Sequence, residues 1–174
     1  MTVTTEQPLH QLTMTVLMTP DMANFSGNVH GGTVLKLLDQ VAYACASRWA
    51  GSYVVTLSVD QVTFRQPIHV GELVTFLASV NRTGSSSMEV GVKVVAENIR
   101  TQTLRHANSC FFTMVAVGDD GKPQAVKAFV PQTPVEQRRH EAATLRRQLR
   151  QELDARFRAI AHDAAADGAV LSGS

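Results

Sequence analysis

Little in this sequence invites metal or redox chemistry. It holds two cysteines, Cys45 and Cys110, each in an apolar stretch, and no CxxC pair. Its six histidines show no HxxxH spacing. A metal site is therefore not expected, and the cysteines read as buried, reduced thiols. An excess of one charge is also missing. Lys+Arg is 16 and Asp+Glu is 15, a net charge of +1, which gives no argument for nucleic acid as a partner. No run approaches the ~18 apolar residues that a membrane span needs. The opening MTVTTEQPLHQL lacks the basic start and apolar run of a signal peptide. A cytoplasmic protein without membrane attachment is the expectation.

What is present suits one globular domain with a tail. Hydrophobic residues make up 44% of 174, enough to bury roughly two thirds of the unfolded surface. Leu12, Met14, Val16 and Met18 alternate with other residues at the period of a half-buried strand. A loop rich in Asn, Ser and Gly follows over residues 21–32 and ends in the pair Gly31-Gly32. The spacing of Val34, Leu37, Leu38, Val41, Ala42 and Cys45 predicts a helix over residues 33–49, with Gly51 as its stop. Its other side carries Leu35, Tyr43, Ala44 and Ala46, and a helix apolar nearly all round is a buried one. Strands are predicted over residues 54–64, 73–81, 88–97 and 104–117, separated by turns at 67–72, 83–86 and 98–102.

A second helix is expected from Pro134 to about residue 161. Thr133-Pro134 supplies its N-cap and first-position proline. Leu145, Leu149, Leu153 and Phe157 recur every fourth residue, beside seven arginines. Such a helix docks on the body or on a partner subunit with solvated arginines, or offers one or two of them to phosphate. The division expected is residues 1–132 as the domain, 133–162 as the amphipathic helix and 163–174 as a disordered tail. One long apolar helix needs a curved antiparallel sheet to wrap it. Pairing the edges of two such sheets would cover them, which favours a dimer.

Asp39 is the anomaly in this pattern. It falls within LLDQV, mid-helix, where an uncompensated buried carboxylate costs several kcal/mol. It either sits on the one solvent-facing spot, pairs with an arginine, or faces a cleft as a base or nucleophile. Gly31-Gly32 at the helix start would let a ligand approach N–H groups that favour a developing negative oxygen, although most such pairs are only tight turns. Gly32 and Asp39 lie two turns apart on one face, about 10 Å along the axis. Asn24, in the loop before, has an amide that can orient water, although a loop asparagine is most often a turn residue.

The stretch from Ala23 to Asp39, ANFSGNVHGGTVLKLLD, resembles the signature of the acyl-CoA hydrolase branch of the hotdog superfamily. Val54-Val55-Thr56, Phe64-Arg65-Gln66-Pro67, Val70-Gly71-Glu72 and FTMVAVGDDGKP (112–123) resemble later parts of that family, so the likeness spans residues 12 to 130. The resemblance implies an α+β hotdog fold, a long central helix wrapped by a curved antiparallel sheet, here with a C-terminal helix. It implies hydrolysis of acyl-CoA to acid and CoA, with no cofactor beyond the CoA of the substrate. It implies that Asp39 is the general base or nucleophile and acts with Asn24 across a dimer, that the N–H near Gly31-Gly32 stabilises the oxyanion, and that Thr56 orients the water. It implies that His30, Gly31 and the turn Gly84-Ser85-Ser86-Ser87 contact substrate or CoA, although that turn also reads as an ordinary hairpin. Six-subunit assembly as a trimer of dimers is implied as well. Two other readings differ in chemistry: a hydratase or dehydratase pairing His30 with Asp39, and a non-catalytic acyl-CoA-binding module.

Overall fold

The computed structural model describes residues 7–171, with side chains to residue 161. The elements are β1 (Gln11–Leu17), α1 (Gly31–Ala50), β2 (Tyr53–Val59), β3 (Leu73–Thr83), β4 (Ser87–Asn98), β5 (Thr103–Val117) and α2 (Pro134–Leu171). The chain divides into two compact units, Met1–Val130 and Pro131–Ser174.

In the first unit five antiparallel strands form one sheet in the order β1-β3-β4-β5-β2. Irregular pairing at Thr56/Ser58, Val80/Arg82 and Val94/Val95 marks bulges, which bend strands and increase their twist. Alternate residues Val90, Val92 and Val94 of β4 and Cys110, Phe112, Met114 and Ala116 of β5 are buried. They form one core with Val34, Leu38, Val41, Ala42, Cys45 and Ala46 of α1. The period-two strand faces thus meet the helical stripe, and α1 contacts all five strands. Gly51 ends α1 in the left-handed region at φ 68, where glycine avoids the Cβ penalty.

Several boundaries differ from the sequence reading. Helix α1 begins at Gly31 because His30 caps it with its own side chain. Strand β2 stops at Val59 instead of continuing to residue 64. After its bulge the chain leaves the ladder, and isolated bonds tie it to β5, among them Asp60 N to Phe111 O (2.9 Å), Asn108 Nδ2 to Thr63 O (3.1 Å) and Arg65 N to Ala107 O (3.3 Å). The apolar residues that mimicked a longer strand, Val62 and Phe64, line a cavity instead. Residues 1–6 lie outside the described residues.

The second unit is a single helix. A reciprocal capping box begins it: Thr133 Oγ1 accepts from Glu136 N (3.2 Å) and Glu136 Oε2 accepts from Thr133 N (3.0 Å). Leu145, Leu149, Leu153, Phe157 and Ile160 are exposed. Helix α2 runs past residue 162 to Leu171, through an alanine-rich stretch whose high helix propensity outweighs its low complexity. The remainder of the expected tail, residues 172–174, lies outside the described residues. No helix among the described residues is long and apolar enough to cross a membrane.

Candidate active site

Thr56 of β2 and Asp39 of α1 meet. The Thr56 hydroxyl donates to Asp39 Oδ1 at 2.6 Å and lies 3.6 Å from Met114 Sδ on β5. The carboxylate is exposed in the single chain, which corrects the expectation of a buried helix face. The apolar residues beside it explain the misreading. Leu35 and Tyr43 of α1 are exposed, and so are Tyr53, Val55, Leu57 and Val59 of β2, an edge strand of the sheet. The second apolar face of α1 therefore continues onto the open edge of the sheet.

Asp39 lines a cavity of about 600 Å³ with Leu35, Lys36, Val59, Asp60, Phe64 and Phe112 among its walls. Lys36 precedes Asp39 by three residues, so helix geometry puts both on one face. A trough with apolar walls, the charged groups Lys36 and Asp60, and a second carboxylate, Asp39, anchored by a hydroxyl suits an acyl group presented to a base.

Asn24 lines a different cavity of about 260 Å³, with Asn28, Gly31, Phe64, Arg65 and Pro67 among its walls. Its side-chain Oδ1 accepts from the N–H of Ser26 (2.9 Å) and of Asn28 (3.1 Å). Its backbone N–H donates to Asn28 O (2.6 Å), and Gly27 turns the loop at φ 75. Asn24 is thus a turn residue locally and a cavity residue at the same time. Within one chain Asn24 and Asp39 line separate cavities that share Phe64.

The helix start is arranged differently from the simple glycine pair expected. His30 Nδ1 accepts the Gly32 N–H at 2.9 Å. A Cβ on Gly32 would lie 3.0 Å from that nitrogen, so glycine is what lets the ring fold back. The Gly32 donor is therefore engaged in the free chain, while Gly31 faces the Asn24 cavity beside Phe64. The His–carboxylate pair of a hydratase is not formed among the described residues: His30 bonds Gly32, and Asp39 bonds Thr56.

The Gly84-Ser85-Ser86-Ser87 turn joins β3 to β4, closed by Gly84 N to Ser87 O (2.7 Å). It is tied to the far end of α1, since Ser85 O accepts from Val126 N and Lys127 O accepts from Trp49 Nε1. Within one chain it stands away from the Gly31 end. No cluster of three or more His, Cys, Asp or Glu suited to a metal occurs among the described residues.

Sequence reasoning missed the centrality of Phe64, whose aromatic side chain among the polar neighbours Thr63, Arg65 and Gln66 was the available signal. It also missed Asn108, fully buried, whose Nδ2 holds Thr63 O at 3.1 Å and so anchors the Phe64 segment to β5.

A family model described as Thioesterase superfamily matches residues 26–103. Protein VdlD of Helicobacter pylori is 51% identical over 140 residues, 80% of either chain. A hexameric acyl-CoA thioesterase, solved in its apo form, is 37% identical with a TM-score of 0.81, over 84% of this chain and 94% of its own. An acyl-CoA hydrolase from Staphylococcus aureus, solved with butyryl-CoA, CoA and CoA disulfide, is 29% identical with a TM-score of 0.81, over 90% of this chain and 95% of its own. That enzyme has also been solved with an aspartate, an asparagine or a threonine replaced by alanine.

Proposed function

This chain belongs to the thioesterase superfamily, and on that premise we propose that it hydrolyses acyl-CoA at a site shared by two subunits. Acyl-CoA thioesterase activity agrees with the relatives. The finer assignment is ours. Asp39 of one subunit holds the attacking water, and Asn24 of the partner subunit completes the site. Thr56 fixes the carboxylate. The observation that carries the reading is the 2.6 Å bond from Thr56 to Asp39 at the open β2 edge, with Asn24 in a separate cavity of the same chain.

The open edge supplies the reason for a dimer. Burying a large apolar side chain contributes about 1.5–3 kcal/mol. Tyr53, Val55, Leu57 and Val59 on an edge strand, beside Leu35 and Tyr43, present several such side chains together. Pairing β2 with β2 of a second copy satisfies the strand's backbone and covers this face. Further assembly into a hexamer accords with the hexameric neighbour.

In the proposed reaction the thioester carbonyl approaches the start of α1. The N–H groups there and the helix dipole stabilise the oxyanion, with Gly32 exchanging His30 Nδ1 for the substrate oxygen. Asp39 takes a proton from the water as the water oxygen adds to the carbonyl carbon, and gives that proton up to solvent once the acid has left. The C–S bond then breaks, and CoA departs as a thiolate, which takes up a proton in solvent. A thiol of pKa ~8.5 leaves readily, so no strong general acid, metal or cofactor is called for. The turn Gly84-Ser85-Ser86-Ser87 is assigned to the CoA portion.

Thiol release from acyl-CoA, followed with a thiol reagent, tests this. Asp39→Ala is expected to lower kcat by at least about 10²-fold. Full activity in that variant would remove Asp39 from the mechanism.

A further inference from the structure

A polar relay runs from the sheet to the Asn24 loop. It begins at Arg105 on β5. Its Nη2 donates to Glu72 Oε2 at 2.5 Å and to Pro67 O at 2.8 Å. Glu72 is 5% exposed, and its Oε2 also accepts from His69 N at 2.8 Å. One buried carboxylate oxygen thus receives a guanidinium and a backbone N–H, and clamps the turn from Pro67 to Glu72.

That turn reaches the loop by two routes. Ile68 O accepts from Val29 N at 2.8 Å. The His69 ring meets Asn28 through Nδ1 and Oδ1 at 2.8 Å. An amide oxygen only accepts, so Nδ1 carries the proton. Asn28 in turn bonds Asn24 twice: its N–H donates to Asn24 Oδ1, and its O accepts from Asn24 N. Pro67, Ile68, Asn28 and Asn24 all line the same cavity. An ion pair that is costly to bury therefore stands at the root of the wall and the loop that present Asn24.

We propose that the Glu72–Arg105 pair, acting through His69 and Asn28, is a positioning device for the Asn24 amide. This rests on the catalytic role proposed for Asn24. None of the four residues is assigned to touch the reacting atoms. They fix where Asn24 sits, and catalysis is steep in such placement. A single nitrogen of Arg105, Nη2, donates to both the carboxylate and the carbonyl, and so ties Glu72 to the Pro67 end of the turn.

The test uses the full chain and the best-hydrolysed member of an acetyl- to palmitoyl-CoA series. Glu72→Ala would strand a largely buried cation and risks misfolding, so the exposed His69 carries the experiment. His69→Ala is expected to lower kcat roughly tenfold, with KM moving less than about twofold. His69→Asn, whose amide nitrogen occupies the place of Nδ1, recovers most of the loss. Glu72→Gln, which keeps an acceptor oxygen and loses the charge, gives an intermediate loss of kcat.

The deciding readout is the Asn24→Ala background, where a residue acting through Asn24 has nothing left to position. There His69→Ala is expected to cost less than about twofold more. If Asn24→Ala is crippled and His69→Ala multiplies the loss, Asn24 keeps its role and the relay is overturned. Unchanged kcat in His69→Ala also overturns it. Full kcat in Asn24→Ala sinks the role of Asn24, and the relay with it.

Discussion

Thr56 and Asp39 lie on different elements, a strand and a helix, yet the hydroxyl of one donates to the carboxylate of the other at 2.6 Å. A bond of this kind fixes one carboxylate oxygen and leaves the other for water. It also gives the carboxylate a single orientation on an otherwise exposed helix face.

Removing that hydroxyl frees the Asp39 side chain to rotate. Thr56→Ala is expected to lower kcat roughly 10- to 100-fold, the range for a bond to a charged group. Thr56→Ser restores most of the activity because the oxygen returns. Steady-state kinetics with both variants decides the matter, and equal kcat in Thr56→Ala and wild type would remove the bond from catalysis.

The exposed β2 edge gives a second prediction. Leu57 is 67% exposed on an edge strand, so Leu57→Arg leaves the core of the single chain untouched. A charge at this position is expected to block pairing of two copies. The variant should run as a monomer in light scattering, keep its far-ultraviolet circular dichroism and lose hydrolysis. An oligomer of unchanged size would mean that another surface joins the subunits.

The two thiols give a third. Burial pushes both Cys45 and Cys110 up to about 12; at Cys45, Arg48 and the Val80 backbone oppose the shift without overcoming it. The ordinary value is 9.0. Between these values the unfolded chain gives up its thiol protons and the folded chain keeps them, so the unfolded state binds fewer protons and stability falls as pH rises. Below pH 9 the folded state keeps this contribution in full. Urea midpoints should therefore decline from pH 9 upward, and less so in a Cys45→Ala/Cys110→Ala variant compared with its own midpoint at pH 7. At pH 8 the native protein should not react with a thiol reagent, which leaves the CoA assay free of background. Rapid labelling of the native chain would contradict the burial.

Much of this was legible from residue spacing. Of the stripe Val34, Leu37, Leu38, Val41, Ala42 and Cys45, all but the half-buried Leu37 are buried, as a period of 3.6 requires, and Ala46, read on the opposite side, is buried with them. The strands predicted over residues 88–97 and 104–117 formed as β4 and β5 within a residue or so of those bounds. Asp39 lies on the expected helix and, as two of its three readings allowed, is exposed and lines a cleft, whereas the helix face around it is not the buried one expected. Leu35 and Tyr43 gave the same apolar signal whether they faced a core or an uncovered edge, and only the strand order separates these cases. Val62 and Phe64 extended the pattern of β2 beyond its end for a related reason: cavity walls and strand faces both favour apolar side chains. The engagement of Gly32 by His30 was not legible, because the cap depends on one ring rotamer. The Glu72–Arg105 pair joins residues far apart in sequence, and pattern reading carries no information at that separation.

The most direct measurement is complementation between two inactive chains. Asp39→Ala keeps Asn24, and Asn24→Ala keeps Asp39. In a mixed dimer one site unites the intact Asn24 of the first chain with the intact Asp39 of the second, while the other site lacks both. Each variant alone should hydrolyse acyl-CoA negligibly, and random co-assembly by co-expression should recover about a quarter of wild-type activity, half the dimers being mixed with one site of two restored. Co-expressed chains no more active than either variant alone would contradict a site built across two subunits.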